Sequence, residues 1–131
     1  MTTDTHPTDH PQLLTDRLLI WAGGRTPGEQ AAVIALIDEG DLLTRPDIQQ
    51  LLVVDTGTTL HCDWPRFEAR YRSALALDDE EDAFLTLVIA TAFPRLIALW
   101  KVEALGRRRL AVILRAVEHL ATTSTTVQEP T

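Results

Sequence analysis

Leu43-Thr44-Arg45-Pro46-Asp47-Ile48-Gln49-Gln50-Leu51-Leu52-Val53-Val54-Asp55-Thr56-Gly57-Thr58-Thr59-Leu60 supports two incompatible readings. Its first half predicts a short helix over 45–53. Thr44 caps it, and Asp47 sits in the first turn, where the positive end of the helix dipole favours an acid. Ile48, Leu51 and Leu52 form the buried face. Beyond that the readings part. Either a turn at Val53-Val54-Asp55 leads into a second helix over 56–63, or a strand reaches a turn at Asp55-Thr56-Gly57 and a second strand returns. Strand signals are confined to residues 51–62, so this choice decides whether the chain is helical throughout.

Upstream, Leu14, Leu18 and Trp21 fall on one face of a helix from about Pro11 to Ala22, which Asp9 caps and Gly23-Gly24 ends. Thr26-Pro27-Gly28-Glu29 is a capping-box pattern with proline at the first helical position. The apolar run Ala31 to Ile37 follows it, and Gly40 closes the helix. Downstream, Asp63 caps a helix from about Pro65 to Leu77, with Phe67, Tyr71, Ala74 and Leu75 on one face. A fifth helix starts at Asp78, with four acids at its positive end. Pro94 kinks it or starts another, and Leu96 to Leu105 continue a helical pattern. Gly106 is a break. The last helix is predicted over Arg107 to Ala121, with Leu110, Ile113, Leu114, Val117 and Leu120 on one face. The expected fold is an all-α, single-domain bundle of six or seven helices over residues 11–121, with a short hairpin or loop at 51–62. Residues 1–10 and 122–131 are polar and predict a disordered leader and tail.

The chain has 131 residues, 45% of them apolar, enough for one core without staples. Its one cysteine, Cys62, excludes an internal disulfide, and a reducing cytoplasm is expected. Nothing at the start reads as a signal peptide. The longest uncharged run, Ala83 to Pro94, is twelve residues, too short to span a membrane, and predicts a buried helix. The net charge is −7. Residues 1–62 hold nine acids and three bases, and residues 63–131 hold ten and nine. Binding of nucleic acid by the whole surface is therefore not expected, because phosphate contacts need clustered cations. Arginine in eleven of twelve bases, with no asparagine anywhere, suggests a GC-rich bacterial or phage genome.

Read as helix, turn and helix, residues 47–63 resemble the DNA-reading helix-turn-helix of bacterial repressors. The resemblance covers about thirty residues with the supporting helix Val33 to Gly40. It implies that Thr58, Thr59 and His61 reach bases or phosphates while Arg66 and Arg70 hold the backbone. The pattern departs from the family at Gln49, where a small residue is usual, and at Val53, where glycine is. Gly57 weakens the second helix by roughly 1 kcal/mol, and no Lys or Arg lies between Pro46 and Pro65. Read as a strand and turn, Leu52-Val53-Val54-Asp55-Thr56-Gly57-Thr58 resembles the catalytic loop of retroviral-type aspartic proteases. Ala104-Leu105-Gly106-Arg107-Arg108-Arg109-Leu110 is similar to that family's second segment. That likeness implies an Asp55 carboxylate paired with a second copy's, on an almost entirely β fold with a glycine-rich flap, whereas residues 58–105 hold no glycine. Asp55-Thr56-Gly57-Thr58-Thr59 is also similar to the first phosphate loop of sugar-kinase-type ATPases, which need two domains and a longer chain.

His61-Cys62-Asp63 gathers three ligand types, but adjacent residues do not face one point, and His6 and His10 lie in the leader. No metal site, cofactor or catalytic residue is predicted, and Cys62 reads as a small buried thiol. The acidic run 78–82 and Arg107-Arg108-Arg109 are opposite in sign. Arginines at a helix N-terminus are disfavoured by the dipole, so a compensating anion is expected: these acids, a partner protein, or phosphate. Trp21, Trp64 and Trp100 predict core packing, and an exposed one would mark a partner surface. Residues 83–120 carry more apolar surface than a helical hairpin hides, which predicts a homo-oligomer. The leading expectation is a non-catalytic protein acting through protein–protein contacts, with Arg107, Arg108, Arg109 and Trp100 as interaction residues. A DNA-binding regulator is second, and an aspartic-protease-like hydrolase using Asp55 is third.

Overall fold

Val53 and Val54 leave the short helix in extended conformation and pair with a returning strand, so the second half of the deciding stretch is a hairpin. In the computed structural model, which describes residues 10–93 and 99–128 with side chains over 13–93 and 101–122, β1 (Val53–Asp55) runs antiparallel to β2 (Leu60–Cys62), with Val53 opposite Cys62 and Asp55 opposite Leu60. Gly57 turns the chain with φ of 95°, the positive value that two-residue hairpin turns need. Asp55 accepts the Gly57 N–H, and the Thr56 N–H bonds to the Thr59 carbonyl. The helix over 56–63 expected from the repressor resemblance is therefore corrected. The reason lies in the burial pattern. Leu60 and Cys62 are both buried and His61 between them is half-buried. Positions two apart share a face on a strand and lie nearly opposite on a helix.

Helices make up the rest. They are α1 (His10–Ala22), α2 (Pro27–Glu39), α3 (Pro46–Leu52), α4 (Trp64–Ala74), α5 (Asp79–Ala92) and α6 (Arg107–Gln128), with 3-10 turns at Leu42–Thr44 and Leu99–Ala104. The fold is thus an all-α bundle with one small ribbon. The starts follow local chemistry. Thr26 accepts the Glu29 N–H and Asp63 accepts the Arg66 N–H. At α2 only half of the capping box forms, because the Glu29 carboxylate is taken by Arg25 at 2.7 Å. The reciprocal box forms at α5, between Asp78 and Glu81. Thr44 does not cap α3. Its hydroxyl closes the preceding 3-10 turn on the Asp41 carbonyl, and Arg45 occupies the cap position, where its side chain caps no helix N–H.

α2 is the centre of the bundle, packed against α1, α5 and α6. Ala31, Ala32, Val33, Ala35 and Leu36 are all buried, so its apolar surface runs round the helix, as a central position requires. α5 is the second buried helix, with Phe84, Leu85, Val88 and Ile89 inaccessible. α4 adds Trp64, Phe67 and Tyr71, and the Tyr71 hydroxyl lies 2.6 Å from Thr86 Oγ1 on α5. α6 runs past the expected end at Ala121 to Gln128. Pro94 and residues 1–9 lie outside the described residues. No helix among the described residues is long and apolar enough to cross a membrane.

Candidate functional site

A groove of about 760 Å³ is walled by α1, α3 and the hairpin. Leu13, Leu14, Pro46, Val53 and Leu60 make its apolar surface, and Arg17, Gln49, Gln50 and Asp55 its polar one. A smaller cavity of about 140 Å³ adjoins it, sharing Leu14, Thr44 and Gln49 and reaching Leu36 and Ile37 of α2. Arg17 Nη2 meets Asp55 Oδ1 at 3.3 Å across the groove. The Gly57 N–H, and after it the Arg17 guanidinium, hold the Asp55 carboxyl below its usual range. Gly106 and Arg107, the second segment of the protease likeness, begin a helix instead of entering a sheet. The turn that the protease likeness required is present at Asp55, and the almost entirely β fold that it implied is not.

The residues of the expected DNA reader are scattered. Thr58 and Thr59 lie in the exposed hairpin turn, and Thr56 holds Thr59 through its hydroxyl and N–H. His61 is half-buried, with its ring centroid 6.2 Å from that of Trp21. Arg66 faces inward. Its Nε and Nη2 donate to the Leu51 and Gln50 carbonyls, capping the C-terminal end of α3, where a cation is favoured. Arg70 alone of the set is an exposed cation. These five residues share no helix face.

His61, Cys62 and Asp63 do not converge, since His61 projects opposite to Cys62 on the strand. No cluster of three or more His, Cys, Asp or Glu side chains fit for a metal occurs among the described residues. Burial pushes the Cys62 thiol up to about 12, which removes it as a nucleophile near neutral pH.

The two charge runs do meet, and the joint is a residue the sequence does not single out. Glu39, at the end of α2, has a fully buried side chain. Arg109 donates to its Oε2 from Nε and Nη2 at 3.0 and 2.9 Å, and Arg108 donates to the same oxygen at 3.2 Å and to the Glu39 carbonyl at 2.7 Å. Glu39 Oε1 accepts the Asp41 and Leu42 N–H groups, both at 2.9 Å. Arg109 also pairs with Glu80 of the acidic run at 3.1 Å, and Arg108 with Asp41 at 2.8 Å. An acid at a helix C-terminus and arginines at a helix N-terminus are each disfavoured alone. Placed together they compensate. Arg107 is different: it is exposed, with no ion pair among the described residues. Trp64 is buried and Trp21 half-buried under Arg25, at 5.3 Å. The Trp100 side chain lies outside the described residues.

The outer side of α6 is apolar as well. Val112, Ile113 and Ala116 are buried against the bundle, while Leu114 and Val117 are 58% and 49% exposed. Leu110, Leu114 and Val117 recur at intervals of four and three, which aligns them on one helix face. The sequence places Ile113 and Leu120 on that face too, but the structure divides the set between two sides. Compared with known proteins, the chain matches no family model, no curated protein and no solved structure.

Proposed function

We propose that this chain is a non-catalytic helical protein of the cytoplasm that acts through protein–protein contacts, as an assembly, adaptor or regulatory factor, and that it self-associates through α6. One observation carries the reading: α6 is apolar on two sides, and among the described residues only one of them is packed against the bundle. Leu114 and Val117 are more than two-fifths exposed and lie on a stripe with Leu110. Scattered exposed apolar residues are ordinary, but an aligned row on one helix is the pattern that helix–helix association uses. Arg108 and Arg109, expected as contact residues, are engaged inside the fold, which leaves Arg107 as the cation available to a partner. The helix that would read DNA is absent, and no other observation favours that role.

Leu114→Glu combined with Val117→Glu tests the proposal. Both sites are exposed, so helix content by circular dichroism should match the wild type. The wild type should show a solution mass above the 14.6 kDa of one chain that rises with concentration, and the double variant should remain at one chain. A wild type that is monomeric at every concentration rejects self-association.

A further inference from the structure

We propose that the groove between α1, α3 and the hairpin is the docking site for α6 of a second copy, so that the chain assembles head to tail. This rests on α6 being the association surface and goes beyond it by naming what receives the helix.

Three observations support the match. The first is that groove and stripe are separate surfaces of one molecule. α6 packs on α2 and α5, and none of its described side chains lines the groove. The second is shape. An amphipathic helix laid in an apolar groove reads as anchors at i, i+3 or i+4, and i+7. Leu110, Leu114 and Val117 supply that spacing over roughly 10 Å of helix. The groove offers Leu13, Leu14, Pro46, Val53 and Leu60 in about 760 Å³.

The third is charge. Arg107 opens the stripe three residues before Leu110. It is exposed without an ion pair among the described residues, whereas Arg108, Arg109 and Arg115 are all paired. The charged residues lining the groove are Arg17 and Asp55, paired at 3.3 Å, and the Asp55 side chain is 57% exposed. Its Oδ1 accepts from Gly57 and Arg17, and its Oδ2 has no hydrogen bond among the described residues. A helix led by an arginine thus finds an apolar floor and the open Oδ2 of Asp55. Such a contact uses different patches on the two copies, so each dimer retains one open groove and one open stripe. It closes into a ring or grows into a chain.

That asymmetry defines the experiment. Full-length Leu13→Glu spoils only the groove, and full-length Leu114→Glu spoils only the stripe. Each should self-associate about tenfold or more weakly than the wild type, the effect of losing one interface anchor. Mixed in equal amounts they should recombine into a heterodimer that stops at two chains, read by light scattering with one variant fluorescently labelled. If Leu13→Glu loses helix content, Gln50→Arg, exposed on the same wall, takes its place and repels the incoming Arg107. If the groove variant assembles like the wild type while the stripe variant does not, groove docking is overturned and self-association through α6 stands. If both variants are monomeric and their mixture does not recombine, the contact is symmetric and the inference is overturned. A wild type that never associates overturns both readings.

Discussion

Gly28 shows how one residue can oppose its own helix. It lies in the first turn of α2, where alanine has the better helix propensity. A Cβ there, however, would collide with the Thr91 carbonyl oxygen at the end of α5. Backbone does not yield as a side chain would, so Gly28→Ala is expected to destabilise the protein by about 1–3 kcal/mol, the cost of overpacking. Urea unfolding measures it, and an unchanged midpoint would show that the two helices are less closely held. Cys62 gives a pH prediction. Burial raises its thiol from 9.0 to about 12, so the folded state keeps the proton longer than the unfolded one. The associated stability is complete below pH 9 and declines as pH rises toward 12. The urea midpoint of the wild type should therefore fall more between pH 7 and 10 than that of Cys62→Ala. Glu39 was the residue least legible in the sequence. A glutamate before glycine reads as a surface acid near a helix end, and its arginine partners lie some 70 positions further on.

At the scale of elements, the legible features were those set by neighbours in sequence. Thr26 and Asp63 cap where expected, and α5 starts at its acids. The Asp78–Glu81 box carries its signal in the three-residue spacing of aspartate and glutamate. Asp78→Ala should cost about 1 kcal/mol, a smaller change than Gly28→Ala in the same urea measurement. A loss of several kcal/mol would mean that Asp78 does more than cap. The hairpin was undecided because residues 51–62 hold helical caps upstream and a turn triplet within. What decides it is the joint burial of Leu60 and Cys62, a tertiary fact. The Thr44 cap failed for a related reason, since its hydroxyl had a nearer acceptor in the 3-10 turn.

Across the whole molecule, α2 and α6 are joined by a buried carboxylate and two arginines at their ends and by apolar packing along their lengths. Removing Glu39 leaves Arg109 with Glu80 alone and takes the acceptor from the Asp41 and Leu42 N–H groups. Glu39→Ala should therefore destabilise by about 3–5 kcal/mol. Losing only a few tenths would show that Glu39 is solvated in solution. The all-helical class was legible because periodicity and caps are local. The groove was not, because Leu13, Pro46 and Val53 come from three separate segments that only packing brings together. The two sides of α6 were merged for the same reason: the sequence shows five apolar positions, and only the bundle divides them.

The central claim, that the outer stripe of α6 is a contact surface, is tested most directly by hydrogen–deuterium exchange of the full chain at low and high protein concentration. Peptides covering 110–121 should gain protection as concentration rises, while those from α4 stay unchanged. Equal exchange across 110–121 at all concentrations would contradict the claim.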